Sequence, residues 1–132
     1  VFILLLIISL WIFNPFAQHY KCTDGICVKI HADPPKVLLQ DESTIWVEIK
    51  NVGNSNKKLM VNMNSDDPSV IFTETGKQSC SDQIELAPGN SRNLDFSVVV
   101  NAEYAGEYGI GSSVIFDDQK IEEKIFLNVV NG

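Results

Sequence analysis

The stretch Ser91-Arg-Asn-Leu-Asp-Phe-Ser-Val-Val-Val100 decides the fold. Leu94, Phe96, Val98 and Val100 alternate with Asp95, Ser97 and Val99. A period of two puts one apolar face on a core and turns the other to solvent, which is a half-buried strand. Ala87-Pro-Gly-Asn90 just before it is a strong turn signal. Working outward, the pattern recurs at Ile45, Val47 and Ile49, and again at Leu59, Val61 and Met63. It returns from Tyr108 through Ile110 and Val114 to Phe116, with Gly109 and Gly111 on the opposite face, where small residues permit close packing or a bulge. Ile121, Ile125, Leu127 and Val129 form a last strand, and Ile26, Val28 and Ile30 a first one. Asp33-Pro-Pro35 interrupts that first strand, as proline does at an edge or a switch between sheets, and Val37 to Leu39 resumes it. Val70 to Thr73 reads as a short strand, Thr75 to Asp82 as a loop, and Ile84 with Leu86 as the lead into the next turn. No helical period appears beyond residue 20. The fold class is therefore all-β, a two-sheet antiparallel β-sandwich of about seven to eight strands.

Residues 1–17 are of another kind. Val1 to Ala17 carry no charge, and the apolar run Val1–Phe13 is unbroken but for Ser9. As a helix, 17 residues span roughly 25 Å, close to a hydrocarbon core of roughly 30 Å. We read this segment as one N-terminal transmembrane helix; Ala17 after a short apolar run also fits a secretory signal. Trp11, Phe13, Phe16 and Tyr20 gather toward its C-terminal end, where amphipathic rings favour the membrane interface. Pro15 marks a helix break. The expected organisation is a transmembrane helix over 1–17, a membrane-proximal linker over 18–25 and an extracytoplasmic sandwich over 26–132.

The formal net charge of −7 falls entirely after residue 20. An acidic surface repels phosphate backbones and offers no polybasic attraction to anionic lipid, so no nucleic-acid partner is expected. Cys22, Cys27 and Cys80 are disulfide candidates in an extracytoplasmic domain. Three thiols allow one bridge. Cys22–Cys27, across the Asp24-Gly25 turn, is favoured, with a pairing of Cys80 to either one as the alternative.

Chemistry is hard to find. No Gly-x-Ser-x-Gly, His-Glu-x-x-His or glycine-rich phosphate loop is present, so the chain is read as not an enzyme and without a cofactor. His19 and His31 are the two histidines, and with no Cys-x-x-Cys motif they make a weak metal set. Asp66-Asp67, Asp117-Asp118, Glu103 and Glu107 fall in turns. Carboxylates at loop ends can hold calcium, but adjacent turn carboxylates are more often simply solvated, and no metal residue is assigned. Trp46 lies on the strand face opposite Ile45 and Val47, which leaves little scope for an aromatic sugar platform.

Three motifs carry a resemblance: Trp46-Val-Glu-Ile-Lys-Asn-Val-Gly53, Leu86-Ala-Pro-Gly-Asn-Ser91 running into Phe96-Ser-Val98, and Ala105-Gly-Glu-Tyr108. Over residues 36–130 they resemble immunoglobulin-like domains of archaeal and bacterial membrane-anchored surface proteins, of the CARDB and alpha-galactosidase-associated types. The resemblance implies an immunoglobulin-like sandwich serving adhesion, spacing or assembly. The added N-terminal helix resembles archaeal pilins and archaellum stator proteins, although it lacks their small-residue pattern. Together these readings predict a non-catalytic, single-pass accessory subunit of a complex in the cell membrane, in an archaeal cell envelope. Its partners would be integral-membrane protein subunits, met through the helix and the sandwich edges, and the lipid bilayer. A self-assembling surface component, with homo-oligomers of a pilin or S-layer type, is the alternative.

Overall fold

A computed structural model describes residues 19–131. The anchor read over 1–17, with Trp11, Phe13 and Phe16, lies outside the described residues. Ten strands follow in order: β1 (Lys21–Thr23), β2 (Ile26–Asp33), β3 (Lys36–Leu38), β4 (Glu42–Asn51) and β5 (Lys57–Ser65), then β6 (Val70–Phe72), β7 (Ser79–Leu86), β8 (Ser91–Val100), β9 (Gly106–Phe116) and β10 (Gln119–Val130). They form two five-stranded sheets, β1-β2-β4-β8-β6 and β3-β10-β9-β5-β7. The architecture is an immunoglobulin-like β-sandwich, and the described residues contain no helix.

The alternating apolar residues fill the space between the sheets. Ile45, Val47 and Ile49 of β4 are fully buried, as are Val98 of β8, Val61 of β5 and Val114 of β9. Phe72 meets Phe96 edge to face, with ring centroids 6.4 Å apart, a geometry that aromatic quadrupoles favour. Ser43 and Ser65 are buried without loss because each hydroxyl donates to a carbonyl, Pro34 and Val70 respectively, both at 2.7 Å.

The structure has ten strands where about seven to eight were expected, and it differs from the sequence reading in three particular places. Part of the span read as a linker over 18–25 is strand: Lys21–Thr23 is β1, paired antiparallel with β2, so the sandwich reaches back from residue 26 to residue 21. The sandwich is also not wholly antiparallel. The Pro34-Pro35 interruption, with a cis Asp33–Pro34 peptide, is a sheet switch; beyond it β3 pairs parallel with β10, Val37 opposite Val129. Third, the loop read over Thr75–Asp82 ends at Ser79, where β7 begins. Its alternation was hidden by Asp82, which holds a core-side position between Cys80 and Ile84 yet is exposed, because β7 is an edge strand.

The loops gather at two poles. The hairpin pole holds turns 24–25, 52–56, 87–90 and 117–118. Two of its turns are two-residue hairpin connections with left-handed backbone, Asp24 and Gly25 at φ 46° and 84°, and Asp117 and Asp118 at 47° and 62°. This is the twist-matched hairpin turn. The opposite, proline pole holds 34–35, 39–41, 66–69 and 101–105. Backbone bonds knit it, Gln40 N–H to Val100 O and Asn101 N–H to Ser69 O, each 2.8 Å.

Candidate functional site

The residues that could carry chemistry are spread apart. His31 is exposed on the outer face of β2, opposite Trp46 of β4. His19 is exposed at the start of the described chain. Among the described residues, no group of three or more His, Cys, Asp or Glu is placed to hold a metal. Trp46 lies half-buried between His31 and Asp95 in the cross-strand row, so its ring is no open platform.

Cys22 and Cys27 are disulfide-bonded, directly opposite one another in the β1–β2 hairpin with Cα atoms 4.0 Å apart. Cys80 is a buried free thiol, its Sγ 3.6 Å from Glu74 Oε2. Burial first, and then the Glu74 carboxylate, push the Cys80 thiol above its ordinary value. A thiol held in its neutral form is a poor nucleophile.

Three of the turn carboxylates, Asp66, Asp67 and Asp117, are engaged by their own chain. Asp67 Oδ1 accepts from the Ser69 hydroxyl at 2.5 Å and the Ser69 N–H at 2.8 Å. These bonds, the hydroxyl's foremost, hold its carboxyl below the usual range. Asp66 is paired with Lys124 beside Gly109. A Cβ on Gly109 would come within 2.7 Å of Lys124 Cε, so the glycine makes room for the pair. Asp117 is paired with Lys57.

Two polar devices brace the loops. Asn51, 1 % exposed, donates from Nδ2 to Leu86 O and Ser55 O, both at 2.9 Å, and accepts at Oδ1 from Gly53 N–H at 3.1 Å. One side chain therefore ties the β4–β5 loop to the end of β7. At the other pole Tyr108 donates its hydroxyl to Tyr104 O at 2.5 Å, the tyrosine corner of immunoglobulin-like sandwiches. Both residues stood in the motifs read from the sequence, but their bonding partners are distant in the chain or carry no pattern of their own.

What remains as candidate function is surface. Tyr20, read as a membrane-interface aromatic, lies against the outer face of the first sheet. Its hydroxyl donates to Glu48 Oε2 at 3.3 Å, and Lys50 Nζ stands 4.4 Å from its ring centroid. Lys29 approaches the same carboxylate at 4.0 Å. The second surface is the outer edge of β7, eight residues long. The third is the proline pole, where Tyr104 is 74 % exposed and Leu38 46 %. Among the described residues, no helix is long and apolar enough to cross a membrane.

By sequence the chain matches no family model and no curated protein. By structure it is similar to part of the alpha-2-macroglobulin of E. coli in its native conformation, with a TM-score of 0.67 and 17 % identity over 81 % of this chain and 7 % of that one. A FixG-related protein from Vibrio parahaemolyticus matches with a TM-score of 0.58 and 17 % identity, over 81 % of this chain and 98 % of its own. The CARDB domain of a Pyrococcus furiosus protein, solved in complex with di-metal ions, matches with a TM-score of 0.58 and 16 % identity. That match covers 85 % of this chain and all of that domain. The immunoglobulin-like, CARDB-type sandwich is thus a shared fold, and a shared fold carries no function with it.

Proposed function

We propose that this chain is a non-catalytic, membrane-anchored sandwich subunit whose extracytoplasmic domain braces other proteins of a membrane complex. The observation that carries the reading is the disulfide-bonded hairpin, which begins within a few residues of the uncharged apolar segment 1–17. Disulfides persist in oxidising compartments, and an apolar run of this length beside one is suited to hold the domain at a membrane. Asp66, Asp67, Asp117 and the free thiol are occupied by their own chain, which fits a scaffold better than a reaction centre.

The test is to solubilise the native protein in mild detergent and identify by mass spectrometry what copurifies at fixed stoichiometry. A constant set of polytopic membrane proteins is the expected result. Recovery of this chain alone, in homopolymers or sheared fibres, would sink the accessory-subunit reading and favour a self-assembling surface component.

A further inference from the structure

β1 is held to the domain from outside. None of Lys21–Thr23 is buried, and the strand pairs with β2 alone. The apolar core begins after it, at Ile26. β2 is held independently, in register with β4 along all eight of its residues. Two polar contacts also reach out from this stretch. Lys21 Nζ donates to Glu122 O at 2.9 Å in an exposed bond, and the Tyr20 hydroxyl donates to Glu48 Oε2 at 3.3 Å. Contacts of this kind are individually weak, because water replaces them readily. The link that fixes β1 is the Cys22–Cys27 bridge.

Its two sulfurs are placed unequally. Cys22 is exposed, whereas Cys27 is 7 % exposed. A small dithiol can therefore reach Cys22, and exposed disulfides exchange more readily than buried ones. Lys50 of β4 is the partner of Cys27 on its other side. Side chains so opposed stand about 5 Å apart at Cβ, so an ammonium-bearing chain flanks the sulfur that would leave as a thiolate. The bridge spans only five positions in sequence, so it restrains the unfolded chain less than a long loop would. Cys80 is buried on β7 in the other sheet and does not compete for either sulfur.

We propose that Cys22–Cys27 is a redox latch on β1, opened by a dithiol reductant. One thiolate of the dithiol attacks the Cys22 sulfur, and Cys27 leaves as a thiolate that takes up a proton. The second thiolate of the dithiol then closes on the first, and Cys22 leaves in the same way. Two electrons and two protons pass to the cysteine pair, and the dithiol ends as a disulfide. With the latch open, β1 peels from β2 and bares its edge. Residues 21–25 join the chain that enters the domain and add about 17 Å to its reach. The latch is independent of the role of residues 1–17.

The experiment treats the full chain in mild detergent with increasing dithiothreitol, traps free thiols with iodoacetamide and locates them by peptide mass spectrometry. Amide hydrogen exchange is followed on the same samples. Cys22 and Cys27 should be alkylated together while Cys80 stays unlabelled. Exchange over residues 20–28 should quicken about tenfold or more, with β4 and β8 unchanged. Cys22→Ser combined with Cys27→Ser should show the same exchange pattern without reductant. A bridge that is reduced only as β4 and β8 lose protection is a structural bond, and overturns the latch. A bridge that is reduced while exchange over residues 20–28 stays as before overturns it too. If the double variant does not fold, the titration of the unaltered chain still decides.

Discussion

Removing the Asn51 side chain takes three hydrogen bonds from a site that water does not reach and leaves the Leu86 carbonyl without its donor. Asn51→Ala should therefore cost about 2–3 kcal/mol, since an orphaned buried group costs more than an average bond is worth. Urea unfolding followed by Trp46 fluorescence measures it. Gly25 and Gly109 make an instructive pair. A Cβ on Gly25 would sit 2.9 Å from Gly53 Cα, and its φ of +84° disfavours any side chain. Gly25→Ala should cost about 1–3 kcal/mol, because backbone cannot move aside as a side chain can. At Gly109 the obstacle is the end of a lysine and a carboxylate, so Gly109→Ala should break an exposed ion pair and cost less than about 1 kcal/mol. A smaller loss at Gly25 than at Gly109 in the same unfolding assay would contradict this account. Cys80 gives a pH signature. Its folded pKa is raised above the ordinary thiol value of 9.0, so its contribution is complete below that value. Stability is then lost as pH rises from there toward the folded pKa, because the unfolded chain ionises first. Cys80→Ala should abolish that alkaline loss in unfolding curves compared between neutral and alkaline pH.

At the scale of elements, the edge of β7 invites unwanted pairing, and Asp82 guards it. A charge at a core-side position of an edge strand is costly to cover, so a second chain cannot extend the sheet there without burying it. Asp82→Val should raise self-association, read as a concentration-dependent shift in sedimentation velocity; a variant that stays monomeric at every concentration would remove this role. The same residue shows what the sequence could and could not display. Alternation at Leu94–Val100 and Ile45–Ile49 located strands and inward faces, because each of those strands is covered on one side along its length. β7 escaped because its one misplaced charge is legible only once the strand is known to lie at an edge. β1 escaped because three residues are too few to show a period, and its pairing depends on the turn and the Cys22–Cys27 bridge. Pro34-Pro35 announced an interruption, but the choice between edge and sheet switch rests on β10, some ninety residues away. The clamp of Tyr20 on Glu48 and Lys50 was illegible for the same reason, since it joins residues 28 and 30 positions apart.

At the scale of the molecule, twenty-seven buried apolar side chains among the described residues form the core from residue 26 onward. Such a core is sufficient for a domain of this size without residues 1–17. Deleting residues 1–17 should release a folded, soluble domain, checked by its β-sheet circular dichroism and a cooperative thermal transition. Persistent aggregation of the truncated domain in dilute buffer would show that its surface needs a partner. Neither the poles nor their chemistry could be assigned from sequence, because a pole is defined by loops that meet only after folding.

The disulfide acquires a further meaning when the chain is considered under tension. A pull arriving along the N-terminal chain reaches β1 first, and an ordinary hairpin would unzip from β2 one pair at a time. Here only Lys21 and Val28 precede the bridge at Cys22 and Cys27. The covalent link then passes the load around the Asp24-Gly25 turn and directly into β2. All eight residues of that strand lie in register with β4 and would have to slide together, so the hairpin would act as a strain relief where the N-terminal chain enters the domain.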